Sequence, residues 1–293
     1  MIARLDHVVI AVRDLEEAIR RYQSLGFAVS PGGRHTGLGT YNAIVRFGLD
    51  YLELISIYDE HELGARGLNG VSLAEFLRQR EGGLVGYALA TGNIEEDAAR
   101  FERTGLAAEG PFAMQRLRPD GRQLSWRLLV PGGTSWRQPW PFLIQWDAPD
   151  AERLTWEQPG VHPNGANSVA GIAVAVRDLE RGIDLYQRQL GLTLDHQGES
   201  SHLVARRASF HVGAFSIDLY APTGNGPVQQ TLGSVGEGPF ELTLSSKSLD
   251  QTQQFLSQHG IAMDPVQKAA AVLALPIRQA LGARIVFREQ DAS

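Results

Sequence analysis

The hydrophobic and polar positions at the start of the chain recur 164 residues further on. Leu5–Val29 reads LDHVVIAVRDLEEAIRRYQSLGFAV, and Val169–Leu194 reads VAGIAVAVRDLERGIDLYQRQLGLTL. Polar residues coincide as well as apolar ones, because Ala11–Glu16 meets Ala175–Glu180 with every residue identical. A shared apolar period can arise by chance, but shared polar residues in register indicate an internal duplication.

Each copy begins with the pattern of a strand followed by a helix. The apolar, β-branched run His7–Val12 predicts a largely buried strand. Asp14 is suited to cap a helix, Glu17 completes a capping box, and Gly26 ends the helix as its C′ glycine. The unit is predicted to continue with strands over Phe27–Ser30, Tyr41–Phe47 and Tyr51–Ile57, separated by turns at Pro31–Gly33 and Gly48–Asp50. The order is β-α-β-β-β.

Two weaker echoes of this unit follow. The second module is predicted to have strand Gly86–Ala90, a helix from Asn93 to Gly105, and strands near Ala107–Met114, Gln123–Val130 and Phe142–Trp146. The fourth is predicted to have strand Glu241–Leu244, a helix from Ser248 to Gly260, and strands over Ala270–Leu275 and Ala283–Arg288.

A βαβββ unit leaves one face of its sheet uncovered, and pairing two units buries these faces around a cup. The predicted fold class is therefore α+β, with four modules paired into two domains of cupped mixed sheet. We expect an N-terminal domain over residues 1–150 (modules 1–60 and 83–147), a linker over 151–167, and a more degenerate C-terminal domain over 168–293.

Composition narrows the chemistry. The chain has no cysteine, so disulfides, thiolate nucleophiles and thiolate metal sites are excluded. The net charge of −6 and the scattered Lys and Arg residues argue against nucleic acid as a partner. There is neither a signal-peptide pattern at the start nor an apolar run long enough to cross a bilayer, so we expect no membrane partner and a cytoplasmic location.

The first module contains the opening LDHVVIAV, the segment Gly32–Gly37, Asn42, and Phe47-Gly48 ahead of Tyr51–Ile55. With these motifs it resembles the glyoxalase-like branch of the vicinal oxygen chelate superfamily. Arg118–Gly121 and Pro141–Trp146 are similar to the second module of the same branch. The resemblance implies a small-molecule ligand in the cup and leaves a homodimer open.

Members of this superfamily place metal ligands on the first and last strands of a module, and the matching residues here are His7 and Glu53. Strand alternation supports this, because both residues fall on the face turned away from the helix. A divalent ion (Fe, Mn, Ni or Zn) would act there as a Lewis acid on two substrate oxygens. The alternative is a His–Glu hydrogen-bonded pair without metal.

A tight metal site normally has three protein ligands. Gln145 is the predicted third ligand, and His35 is a second candidate that could instead fix the loop or line the pocket. The position that matches His7 is occupied by glycine in the second and third modules, at Gly86 and Gly171. Predicted substrate-binding residues are His35, Asn42, Tyr51, Trp126 and Arg127, although a strand arginine such as Arg127 is also compatible with simple solvation.

Two functions remain open from the sequence. One is a metal-dependent lyase or isomerase, or a dioxygenase, although Gly171 makes oxygenolytic ring cleavage the weaker choice because that chemistry uses the second half of related chains. The other is a metal-free binding or sequestering protein of the bleomycin-resistance type. The absence of a nucleophile elbow, an HExxH motif or a P-loop disfavours nucleophilic hydrolysis and nucleotide chemistry.

Overall fold

A computed structural model of the protein describes residues 1–35, 37–63, 70–118, 120–133, 136–262 and 272–290. Thr36, Pro119 and residues 270–271, which belong to predicted motifs or strands, lie outside the described residues.

The first half of the chain forms a closed barrel of eight strands. Its elements are β1 (Ile2–Val12), α1 (Leu15–Ser24), β2 (Val29–His35), β3 (Thr40–Arg46), β4 (Tyr51–Ile57), a short 3-10 helix (Glu60–Glu62), α2 (Gly70–Gln79), β5 (Gly82–Thr91), α3 (Ile94–Thr104), β6 (Ala108–Leu117), β7 (Gln123–Pro131) and β8 (Phe142–Trp146). The strand order around the barrel is β1-β4-β3-β2-β6-β7-β8-β5.

The second half forms a seven-stranded sheet in the order β10-β11-β12-β9-β13-β15-β14. Its elements are α4 (Asp150–Trp156), β9 (Ala166–Ala175), α5 (Leu179–Asp184) with a π-helical turn (Leu185–Gln189), β10 (Leu194–Ser200), β11 (Ala205–Val212), β12 (Phe215–Pro222), α6 (Pro227–Val235), β13 (Gly238–Ser246), α7 (Leu249–Gln258), β14 (Val272–Ala274) and β15 (Ile285–Glu289).

The α+β fold with two modules in each half confirms the predicted fold class. Each module begins with a strand that leads into a helix, and a short polar side chain caps that helix in all four. The caps are Asp14, Asn93, Asp178 and Ser248, and each accepts a hydrogen bond from the backbone N–H three residues further on. This shared local geometry is the physical basis of the repeat in the sequence.

The predicted turn at Pro31–Gly33 is wrong, because these residues lie inside β2. The pairing of β2 with β3 shifts between Pro31 and Gly33, as in a β-bulge, and Gly33 has a φ of 136°. A side chain at Gly33 would place its Cβ 2.9 Å from the carbonyl oxygen of Leu117 at the end of β6. Glycine therefore allows β2 and β6 to approach each other where the barrel closes.

Three helices that the pattern did not predict, α2, α4 and α6, pack against the sheets. Leu73 and Leu77 of α2 join the cluster inside the barrel, which includes Val9 and Ile55. In the second half, Val228 and Leu232 of α6 pack with other apolar residues against the matching face of the sheet. Helix α6 therefore covers part of that face.

The two halves share an apolar core on the outer side of the barrel. The core includes residues of β1 such as Val8 and Ile10 together with Val174 and Phe287 from the second half. The hydroxyl of Tyr22 donates to a carbonyl oxygen of the second half at 3.2 Å. The inner and outer faces of β1 therefore serve different purposes, since the outer face holds the halves together and the inner face lines the barrel.

Candidate functional site

A cavity of about 90 Å³ lies inside the barrel of the first half. Strand alternation decides which side chains reach it: β1 directs His7 inward, and β4 directs Tyr51, Glu53 and Ile55 inward. Six of the eight predicted site residues line this one cavity. They are His7, His35, Asn42, Tyr51, Glu53 and Trp126.

Glu53 lies between two histidines. Its Oε2 is 3.6 Å from His7 Nε2, and its Oε1 is 3.5 Å from His35 Nε2. All three side chains are buried, with at most 8% of any residue exposed. In the described part of the chain no Lys or Arg forms an ion pair with Glu53, so histidine and amide groups provide its polar contacts.

The buried carboxylate of Asp6 fixes the orientation of His7. Burial alone would raise the pKa of Asp6, but the hydrogen bond and charge of His7, with the charges of Arg153 and Arg4, hold it well below its usual range. The ionised carboxylate only accepts hydrogen bonds, so His7 Nδ1, at 2.8 Å, carries the hydrogen. His7 Nε2 is thereby directed at Glu53, and the ring stacks on Tyr51 at 4.8 Å.

Asn42 connects the other side of the site. Its Nδ2 donates to Glu53 Oε1 and lies 3.3 Å from His35 Nε2, while its Oδ1 accepts from Arg116 Nη1 at 3.3 Å. His35 Nδ1 lies 2.9 Å from the hydroxyl of Thr40. Burial lowers the pKa of His35 to about 4; the charge of Glu53 opposes this shift and the charge of Arg116 adds to it. His35 is therefore neutral at pH 7.

Sequence reasoning missed Arg116 and Trp136, which also line the cavity. Arg116 pairs with His35 at the closing seam of β2 and β6, and it is only 5% exposed. The signal was present in the alternation of β6, because Phe112, Met114 and Arg116 fall on one face. Trp136 follows β7 in a segment that the pattern assigned to no element.

The structure does not bring Gln145 to the cavity. Its amide lies on the outer face of β8, where it accepts from the backbone N–H of Ile94 at 2.8 Å and donates to the carbonyl of Gly92 at 3.1 Å. Phe142, Ile144 and Trp146 of the same strand line the cavity instead. A polar residue between alternating apolar ones faces the other way, and this parity was readable in the sequence.

The second module has an apolar residue where the first has Glu53. Phe142 pairs with Ala88 in β5 as Glu53 pairs with Val9 in β1. Arg127 likewise lies outside, because Trp126 and its other neighbour on β7 face inward. Arg127 forms an ion pair with Glu95 on α3. It is not a residue of this cavity.

The predicted linker contributes to the support of the site. Arg153, which is fully buried on α4, binds Glu157 at 2.6 Å, and Glu157 also binds Arg46 at 2.7 Å. Arg46 lies over the ring of Tyr51 at 4.6 Å, and Arg153 lies over the ring of Trp146 at 3.9 Å. Two walls of the cavity therefore rest on this buried ion cluster.

The corresponding acids of the second half do not form a similar site. Asp218 stands where the repeat places Glu53, but it binds Arg207 at 2.9 Å. Glu241 pairs with Arg284. With Gly171 at the position of His7, no imidazole from that position can approach Asp218.

Two imidazoles and a carboxylate are a donor set that suits a divalent ion, and each Nδ1 is held by an oxygen as in many metal centres. In this structure the histidines approach different oxygens of Glu53 and Asn42 donates to one of them, so a bound ion would require Glu53 and Asn42 to rearrange. Among the described residues no three His, Asp or Glu side chains are grouped to hold a metal.

No described helix is long and apolar enough to span a membrane.

Family models match both halves of the chain. The glyoxalase-like domain matches residues 5–177, and the glyoxalase/bleomycin resistance protein/dioxygenase superfamily matches residues 168–273. Since the first match spans more than half of the chain, the protein belongs to the glyoxalase-like family of the vicinal oxygen chelate superfamily. Among curated proteins, no sequence matches the chain significantly.

Two solved structures with TM-scores of 0.69 support the fold over nearly the whole chain, and a third is similar to part of it. A hypothetical protein from Staphylococcus aureus has 16% identity and a TM-score of 0.69, and the match covers 99% of this chain and 100% of that one. A triple mutant of 4-hydroxymandelate synthase from Streptomyces coelicolor has 13% identity and a TM-score of 0.69, with 100% and 94% covered. Methylmalonyl-CoA epimerase from Mycobacterium tuberculosis has 22% identity and a TM-score of 0.42, and covers 45% of this chain and 94% of its own.

Proposed function

We propose that the barrel cavity binds a small oxygen-bearing organic molecule and that Glu53 transfers a proton on it, as in an isomerase or lyase. The observation that carries this proposal is a buried carboxylate held between two imidazoles in a largely apolar cavity. The cavity of about 90 Å³ is smaller than an engineered cavity of about 150 Å³ that holds benzene, so it is suited to a molecule of only a few non-hydrogen atoms.

Glu53 has the contacts of a positioned general base. Asn42 donates to Oε1 and holds the carboxylate in one orientation. The other carboxylate oxygen, Oε2, faces His7, whose Nε2 lies 3.6 Å away. A proton taken up by Oε2 would therefore have a second acceptor nearby, and Asp6 would stabilise the resulting imidazolium. The exclusion of water by the surrounding aromatic rings would strengthen each of these interactions.

Hydrogen–deuterium exchange in D₂O tests proton transfer without knowledge of the natural substrate. Small 2-oxo acids, 2-hydroxy acids and hydroxyketones would be incubated with the protein, and loss of the signal of the C–H next to the carbonyl or carboxyl carbon would be followed by NMR. We expect exchange with the wild type and a loss of at least a hundredfold in Glu53→Gln, in the range of a missing general base. Gln145→Ala is the matched control, because that side chain lies outside the cavity.

Metal dependence is a separate prediction from the sequence, and elemental analysis of protein purified without chelators tests it. Stoichiometric metal that is lost in His7→Ala would favour a metal-dependent lyase or isomerase in which Glu53 and Asn42 rearrange. Ligand binding by metal-free protein, without exchange and unchanged in Glu53→Gln, would instead favour a sequestering protein and contradict the proposed proton transfer.

A further inference from the structure

Three arginines among the described residues are buried, and they differ in their partners. Arg46 and Arg153 both bind Glu157. Arg116 takes part in no ion pair within the described part of the chain, although only 5% of the residue is exposed. The Glu53 carboxylate lies beyond Asn42 and makes no direct contact with the guanidinium, and a buried cation without a directly bound counter-ion is costly, by several kcal/mol in typical proteins. Arg116 is therefore suited to bind an anion that enters the cavity.

The hydrogen bonds of Arg116 indicate where that anion would bind. Nη1 donates to Asn42 Oδ1 at 3.3 Å. Nε is buried and has no hydrogen-bond partner among the described residues. This leaves the side of the guanidinium that carries Nε, and a planar carboxylate can accept two parallel hydrogen bonds from such a fork.

Trp136, which lines the same cavity, carries a second unpartnered donor. Its Nε1 is buried, and no described residue accepts a hydrogen bond from it. Other buried donors of the described chain, such as Arg137 Nε and Trp156 Nε1, also lack a partner, but Arg116 and Trp136 line one cavity, and buried polar groups are usually paired. Both are donors and one is cationic, so the missing partner is an acceptor with negative charge.

Much of the rest of the lining is apolar or aromatic. Besides Arg116, it includes Trp126, Phe142 and Trp146, whose rings provide a wall for an apolar body. Asn42 bridges Arg116 and Glu53, so a group bound to Arg116 would have its neighbouring atoms close to the Glu53 carboxylate.

We infer that the cavity takes an organic monocarboxylate with an apolar body, held by the guanidinium of Arg116 and the indole N–H of Trp136. This inference names the ligand class of the site under the proposed function and rests on that cavity being the binding site. Arg116 is a binding residue here, and Glu53 remains the proton-transfer group.

Binding measured by tryptophan fluorescence tests the inference, because three tryptophans line the cavity. The probes are acetate, propionate and butyrate, whose sizes suit a cavity of about 90 Å³, with their neutral amides and inorganic phosphate for comparison. We expect the wild type to bind at least one carboxylate at least tenfold more tightly than its amide and than phosphate. In Arg116→Met that preference is expected to disappear. Arg127→Met, a strand arginine on the outer face, is the matched control and should keep it.

A stability measurement separates a binding role from a structural one. Without ligand, Arg116→Met removes an unpaired buried charge, so its thermal midpoint should equal or exceed that of the wild type; a structural arginine would give a lower one. Equal binding of acids and amides by the wild type, no binding of any acid, or unchanged carboxylate binding by Arg116→Met would overturn the inference. Glu53→Gln should retain carboxylate binding, so a failure of proton transfer alone is distinguishable from a failure of this inference.

Discussion

Replacement of Arg153 by methionine should destabilise the protein strongly, because it breaks a buried ion cluster. Arg153 has no exposed surface, and its Nε and Nη2 bind Glu157 Oε2 at 2.9 and 2.6 Å. Its Nη1 is 3.6 Å from the fully buried Asp6. Methionine retains much of the packing volume but leaves both acids with less positive charge around them.

The magnitude follows from what remains after the change. Removal of one partner of a buried ion pair typically costs about 3–5 kcal/mol. Glu157 keeps Arg46 at 2.7 Å, and Asp6 keeps Arg4 at 3.1 Å as well as His7. Since each acid keeps a positively charged partner, we expect the free energy of unfolding to decrease by about 3 kcal/mol, the lower end of this range.

Urea denaturation monitored by circular dichroism measures this loss. Arg78→Met is the control, because Arg78 pairs with Glu60 at the surface, where both side chains are about 60% exposed, and such pairs contribute less than about 1 kcal/mol. The double variant Arg153→Met/Glu157→Gln should lose less than the sum of the single variants. An Arg153→Met variant no less stable than Arg78→Met would refute the reasoning.

Three further predictions concern other buried polar groups. His162 accepts a backbone N–H at Nδ1, and burial lowers its pKa below 6.5. Its contribution to the free energy of unfolding should therefore be present above pH 6.5 and fall as the pH decreases below 6.5. His162→Gln should reduce this pH dependence in urea titrations. The hydroxyl of Tyr186 donates to a backbone carbonyl and is hydrogen-bonded to the hydroxyl of Tyr87. Tyr186→Phe leaves the buried Tyr87 hydroxyl unsatisfied and should lower the free energy of unfolding by about 1–3 kcal/mol, more than Tyr87→Phe at about 1 kcal/mol in the same assay. The reverse order would contradict this account. Gly32→Ala would place its Cβ 1.9 Å from Asn42 Oδ1, so this variant should weaken ligand binding at least tenfold in the fluorescence titration, and unchanged binding would mean that Asn42 does not organise the site.

Much of the fold was readable because it depends on local rules. The helix caps, the closing glycine of the first helix and the alternating strands each follow from a few neighbouring residues. The same rules placed His7 and Glu53 on the inner faces of β1 and β4. The prediction of a turn at Pro31–Gly33 was wrong because β2 continues through these residues with a bulge. At this bulge β2 contacts β6, which is distant in sequence.

The prediction for Gln145 shows where pattern reasoning loses accuracy. The repeat is weak in the second module, and a shift of one residue along a strand moves a side chain to the opposite face. The pairing of Phe142 with Ala88 fixes that register, and it turns the Gln145 side chain toward the first residue of α3.

The sequence by itself determined the repeated βαβββ unit, because it depends on short-range periodicity, and strand alternation agreed with the inner-face positions of His7 and Glu53 that the family resemblance implied. Only the tertiary structure decided which side chains share the cavity. His35 meets Arg116 because β2 and β6 close the barrel, and Arg153 reaches Asp6 because the segment after the barrel folds back onto it. These contacts join residues far apart in the chain, and their geometry is set by how the sheets close, which no local pattern encodes.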